Sequence, residues 1–316
     1  MRTASAIGFV AAAALSFCLP DFTVFRFAQA IIWAIALIGL VLLCGVSGQF
    51  SFAQAALYGI GGYTTAIVAA QTGGPGYLGL ILAPFIGYAV GYGLGRVTAG
   101  HSMWTQALVS YALAIAFPQL LRWPPIEHIT GGVRGLYLDA PPAPFGFSPD
   151  RWVFLLALML LGAGLLLADN IIRSRSGRAM KATRDDELAA AAQGIRVVHV
   201  RSVASGLAGG YLALAGCLAA FQYGYVGPTA YNFALSVQML FGLVVGGMQS
   251  LGGALLGAVF LKFFPDIVAP LGKGLSALLY AVLLIAAMVA MPNGIAGAFE
   301  AVRRRAIDYA SSRRTV

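Results

Sequence analysis

Residues 173–201 read RSRSGRAMKATRDDELAAAAQGIRVVHVR and form the one long polar stretch of the chain. This run holds seven of the twenty Lys and Arg residues and three of the eleven carboxylates. A segment this basic resists translocation across a bilayer, so it fixes which end of the fold faces the cytoplasm. What lies on either side of it decides the class of fold.

The flanks are apolar almost throughout. Of 316 residues, 59% are hydrophobic and 10% charged, against roughly 25% charged in a soluble domain. Mean hydropathy is +0.83. Apolar runs of spanning length recur along the chain, which predicts an all-α polytopic membrane protein. The alternating ten-residue pattern of a β-barrel is absent. Forty glycines fit helices that approach closely, because small residues carry helix contact in lipid. The net charge of +9 belongs to cytoplasmic helix ends rather than to nucleic-acid binding. Cys18, Cys44 and Cys217 lie inside apolar runs and predict neither a disulfide framework nor a metal site. His101, His128 and His199 lack metal-ligand spacing. The N-terminal AIGFVAAAALSFCLP resembles a signal peptide, but Phe17-Cys18-Leu19-Pro20 offers no small-residue cleavage site, so it is read as a retained helix.

About ten spans are predicted (range eight to ten), some short or broken, at 6–20, 27–46, 50–70, 77–95, 102–121 and 152–168, then 202–222, 235–248, 251–264 and 275–291. With 173–201 inside, counting back puts 122–151 outside, 96–101 inside, 71–76 outside and Arg2 inside. The tail 293–316 carries Arg303, Arg304, Arg305, Arg313 and Arg314 and belongs inside too. An even number of crossings must therefore follow the basic loop. The sequence GGMQSLGG at 246–253 supplies the break that makes two short spans of residues 234–264 and restores parity. Four regions follow: a six-span N-terminal half, 1–172, with the Pro- and Gly-rich external loop 122–151; the cytoplasmic loop 173–201; a four-span C-terminal half, 202–292; and the basic tail 293–316.

Polar groups at membrane depth are costly and mark packing or a path. SGQFSFAQAALYGIGGYTT, 47–65, concentrates them: Gln49, Ser51, Gln54, Tyr58, Tyr63 and Thr64 should face other protein or a water-filled route. Interhelical hydrogen bonding is the plainer role for most of them. A second patch at 246–253 adds Gln249 and Ser250. Two interrupted spans in the two halves are the sequence pointer to a transport path. No span carries a central Asp, Glu, Lys or Arg, which argues against an ion-driven secondary transporter. No phosphate-binding Gly-rich loop or catalytic triad appears, so no enzyme is predicted.

Within the basic loop, residues 177–193 are Ala-rich and free of Pro, which predicts one helix. Thr183 and Asp186 have capping-box spacing, with Asp185, Asp186 and Glu187 crowding an N-terminus. Leu188, Ala191, Ala192 and Ile195 make a narrow apolar stripe, and Gly194 is placed as a C-cap. Such a helix could lie on anionic lipid; its small-residue face suits docking in a protein groove.

These segments resemble the M-type permease subunits of branched-chain amino-acid ABC importers. The resemblance rests on SGQFSFAQAALYGIGGYTTA, ITGGVRGL, SRSGRAMKATRDDELAAAAQGIRV, FGLVVGGMQSLGGALLGAVFL and MPNGIAGAF, in that order. It implies the ten-span importer architecture in the inner membrane and a second, related permease subunit as partner. It also implies two ATPase subunits that bind ATP and Mg, and a periplasmic solute-binding protein. Arg178, Thr183, Arg184, Asp185, Asp186, Glu187, Leu188, Ala191, Gly194 and Ile195 would then belong to the coupling element that sits in an ATPase cleft. Related permeases carry urea, short amides or other amino acids, so the resemblance leaves the solute open.

Overall fold

The computed structural model describes residues 19–268 apart from 73, 75, 140, 144 and 145, together with 294 and 297. The predicted first and tenth spans and nearly all of the tail lie outside the described residues. The other eight spans are all helices. They are α1 (Asp21–Leu40, continued by a π-helical segment Val41–Val46), α2 (Gln54–Thr72), α3 (Leu78–Thr98), α4 (Met103–Leu121) and α5 (Pro149–Arg173). After α6 (Arg175–Asp185) and α7 (Glu187–Ala192) come α8 (Val197–Tyr223), α9 (Phe233–Gly246) and α10 (Leu251–Val268). Five of the described helical segments, including 21–46 taken whole, are long and apolar enough to cross a membrane.

The centre of the bundle is α8, mostly buried along its length and packed against α1, α2 and α3. Its packing on α3 follows membrane rules rather than those of a soluble core. The buried positions of α3 are Gly79, Ala83, Gly87, Gly91, Gly95 and Thr98, a small residue at every third or fourth place. Its large residues Leu78, Ile81, Leu82, Phe85, Ile86 and Val97 are exposed. Small side chains let the two backbones meet, and large apolar ones are left for lipid. A Cβ at Gly87 would strike the Gly209 carbonyl, and one at Gly91 would strike that of Ser205.

The contacts between loops sort into two ends. At one end, Tyr77 Oη donates to the Pro142 carbonyl at 2.9 Å and accepts from Trp152 Nε1 at 2.7 Å. There too a two-stranded antiparallel pair joins β1 (Leu136–Tyr137) to β2 (Tyr225–Val226). Arg151 meets Asp21 at 3.0 Å, and Arg26 meets Asp266 at 2.7 Å. Segments 71–77, 122–151 and 223–231 therefore share one end, as the parity count requires. The opposite end gathers residues 45–53, 96–106, 184–201 and 247–250, the loops assigned to the other side.

The sequence reading needs one correction. Residues 177–193 are not a single helix. Asp186 leaves helical geometry (φ −154°, ψ 114°), and its carboxylate accepts from the amides of Leu188 and Ala189. It caps α7, so the acids that crowd an N-terminus open a new helix and interrupt α6. Thr183 caps nothing; it is buried inside α6, where its hydroxyl donates to the Met180 carbonyl at 2.9 Å. Ser174 is the N-cap of α6.

Candidate functional site

Two helix breaks meet at the 173–201 end. The first follows α1. The widened π-helical turns of Val41–Val46 end in an irregular stretch, residues 47–53, before α2 begins. Breaking a helix at membrane depth orphans backbone donors, which must be satisfied by protein. Hydroxyls supply the partners: Phe52 N donates to Ser110 Oγ of α4 at 2.9 Å, Ala53 N to Ser51 Oγ at 3.2 Å and Ala55 N to Ser236 Oγ of α9 at 2.9 Å. The second break, residues 247–250, separates α9 from α10, with Gly247 at φ 117° and Ser250 Oγ accepting from Gly253 N. The breaks touch: a Cβ on Gly45 would collide with the Met248 carbonyl.

Segment 173–201 is bound to the first break at several points. Arg184 Nη1 donates to the Gly45 carbonyl at 2.7 Å. Its aliphatic stem lies against Gly48 (φ 70°), where a Cβ would collide with it. Gln49 is buried and its Nε2 donates to the Arg201 carbonyl at 3.0 Å and to Ser47 Oγ at 2.8 Å. The Arg201 guanidinium meets Glu187 of α7 at 2.8 Å. Asp185 pairs with Arg184 at 3.0 Å. Thus α6 and α7 each reach the break through an arginine.

The outward side of this segment is apolar and bare. Leu188 is 83% exposed. Ala191 and Gly194 are exposed and Ile195 half-buried, while Ala190 alone in α7 packs inward. Gly194 adopts φ 82°, where a side chain would be strained, and so ends α7. Arg178 is exposed and donates to the Arg173 carbonyl at 3.0 Å. Thr183 is turned away from this surface.

The polar residues of 47–65 divide between two places. Gln49 and Ser51 line a small crevice with Thr98, Gln106, Ser110 and Ser205. The last four were missed from sequence because a hydroxyl or amide scattered in an apolar helix carries no local sign of a distant partner. Gln54 is buried near the break, where its Nε2 donates to the Ser51 carbonyl while its Oε1 finds no partner among the described residues. Toward the far end, Tyr58 and Tyr63 cluster with Phe117 and Tyr231, ring centroids 5.9–6.3 Å apart. Gly59 and Gly62 make room for the Tyr231 ring. Burial pushes the Tyr231 hydroxyl above its ordinary pKa, assisted by Tyr63, Tyr223 and Tyr225, so it stays neutral. Tyr63 Oη is buried without a partner among the described residues. Thr64 is half-buried; Gln249 is exposed and Ser250 half-buried at the second break.

The described residues thus form a multi-pass helical bundle of membrane-spanning character, with paired helix breaks joined to an exposed amphipathic segment. The sequence profile described as branched-chain amino acid transport system / permease component matches residues 22–291, and the chain belongs to that family. It is 26% identical over 291 residues to the high-affinity branched-chain amino acid transport system permease protein LivM of Salmonella typhimurium, covering 84% of this chain and 67% of that protein. The LivM protein of Escherichia coli K12 matches to the same extent. The autoinducer 2 import system permease protein LsrC of Salmonella paratyphi B is 36% identical over 148 residues, 45% of this chain and 41% of its own length. No solved structure matches.

Proposed function

We propose that this chain is one of two related permease subunits of an ATP-driven importer, lining a shared path for branched-chain or closely related amino acids. The observation that carries the reading is the double tether of 173–201 to the first helix break, through Arg184 to Gly45 and Arg201 to Gln49. A segment so attached transfers a push on its outer face to a broken helix in the bundle. Its bare apolar stripe, with Leu188 83% exposed, suits a groove in an ATPase subunit. Two such subunits bind ATP and Mg and supply the stroke. The 173–201 end then faces the cytoplasm, as do both chain termini, by the positive-inside rule. The end carrying 122–151 and 223–231 receives a periplasmic solute-binding protein.

The path runs beside α2, past Gln49, Ser51 and Gln54 near the break and past Tyr58, Tyr63 and Thr64 toward the far end. Gln54 Oε1 and Tyr63 Oη, buried and unpartnered among the described residues, are acceptors and donors open to a polar solute. Gln249 and Ser250 contribute at the second break. The longer likeness to LivM favours branched-chain amino acids, and urea, short amides or another small polar solute are the alternative cargo. A ligand screen on the solute-binding protein that partners this chain tests the assignment. Micromolar binding of leucine, isoleucine or valine supports it, and selective binding of another solute class overturns it. An ATP-independent secondary transporter or channel, the remaining alternative, predicts uptake by this chain alone.

A further inference from the structure

Two hollows lie along one face of α8. The first, about 560 Å3, is apolar and walled by Phe85 and Tyr88 of α3, Ala163 and Leu167 of α5, and Leu207 and Leu214 of α8. The second, about 250 Å3, lies at the 173–201 end, between Arg175, Ser176 and Met180 of α6 and His199 and Val203 of α8. His199, Val203, Leu207, Gly210 and Leu214 recur every three or four residues, so the hollows follow one another up a single helix face. Tyr88 and Tyr92 bridge them, their rings stacked with centroids 6.1 Å apart and Tyr92 Oη 3.4 Å from His199 Nδ1. From His199 to Leu214 is about 22 Å of helix, and one leaflet with its headgroup layer is about 20–22 Å thick.

Among the described residues, Arg175 is the one charged residue lining the mouth, and the sequence around it is basic. Residues 173–181 carry Arg173, Arg175, Arg178 and Lys181, and among the described residues only Arg173 has a carboxylate partner, Asp169 at 2.9 Å. The acids of the segment are engaged elsewhere: Asp185 with Arg184, Glu187 with Arg201, and Asp186 in the α7 cap. Arg175 is exposed at the rim of the mouth.

A basic rim at one hollow, and an apolar hollow further along the same helix face within the length of one leaflet, match one ligand chemistry. We propose that this face of α8 is a specific site for an anionic phospholipid, its phosphate at the mouth formed by Arg175, Ser176 and His199 and an acyl chain in the groove between α3, α5 and α8. The site lies on the α6 side of segment 173–201, apart from the α7 stripe, so lipid and ATPase engage different faces. Such a lipid would brace α6 against α8 beside the arginine tethers.

The test is native mass spectrometry of the full chain, purified with its partner subunits and exchanged into mixed phosphatidylglycerol and phosphatidylcholine. The variants are Arg175→Glu, an exposed change that leaves the fold intact, and Ala163→Trp, which fills the groove. Bound phosphatidylglycerol should survive activation that strips phosphatidylcholine, and Arg175→Glu should weaken its retention by about tenfold, one decade of affinity. Ala163→Trp should abolish retention of phosphatidylglycerol. Equal retention of the two lipids, unchanged by Arg175→Glu, would overturn the site as an ordinary lipid annulus. Crosslinking of Ala163→Cys to a partner subunit, with no lipid retained, would overturn it as a protein interface.

Discussion

The Arg184 guanidinium donates to the Gly45 carbonyl at 2.7 Å across 139 residues of sequence, joining the polar segment to the carbonyl end of a π-helical turn inside the bundle. A hydrogen bond from a charged donor contributes about 1.5–3 kcal/mol, and widened π turns recur at functional sites because they re-aim the helix that follows. In this protein the turn leads into the break from which α2 starts.

Removing that anchor should separate assembly from transport. Arg184→Ala leaves the α7 stripe and the Glu187–Arg201 pair in place, so ATPase subunits should still co-purify. Transport should fall about ten- to a hundredfold, the kinetic equivalent of the lost bond. Uptake at the wild-type rate would show that Arg184 is only a surface cation.

Substitution on the outer face should do the reverse. Leu188 is 83% exposed, so Leu188→Asp should change thermal stability by no more than about 0.5 kcal/mol. It should nonetheless abolish ATPase co-purification. Gly194→Pro forces φ from 82° to about −65° and should also lose the ATPase while inserting normally. Recovery of the complex with both variants would remove α7 from the interface.

The α3–α8 contact offers a paired control. Gly91 abuts the Ser205 carbonyl, whereas a Cβ on Gly93 meets nothing within 4 Å. Gly91→Leu should cost about 3 kcal/mol or more through overpacking and deplete folded protein, and Gly93→Leu should be tolerated. Fluorescence-detected size-exclusion chromatography of the two variants distinguishes them.

How much of this was legible in the sequence depended on which signal each element carried. The eight spans within the described residues and both breaks were readable, because hydropathy and Gly246-Gly247 at the end of α9 are local signals. The sorting of loops to two ends followed from parity alone. The Asp186 break was not readable: an Ala-rich run without Pro predicts one helix, and a side chain choosing to cap rather than continue is a tertiary outcome. Ser110, Thr98, Gln106 and Ser205 escaped because a hydroxyl or amide scattered in an apolar helix looks the same whether it bonds its own helix or a distant break. Ser236, which caps Ala55 from 181 residues away, is the plainest such case.

Sidedness yields a labelling prediction. Gln249 and Tyr137 are exposed at opposite ends, and Cys44 and Cys217 are buried. With Cys18 replaced, Gln249→Cys should react with an impermeant maleimide only from the cytoplasm and Tyr137→Cys only from outside. Reversal of both would invert the assigned orientation, and reaction of both from one side would break the topology.

The central claim is that this chain moves solute only when partners push on segment 173–201. The most direct measurement is uptake of labelled leucine into proteoliposomes holding the chain with its second permease and ATPase subunits, with binding protein outside and ATP within. Uptake should require ATP and vanish with Leu188→Asp. Equal uptake without ATPase subunits, or undiminished uptake by Leu188→Asp, would contradict the account.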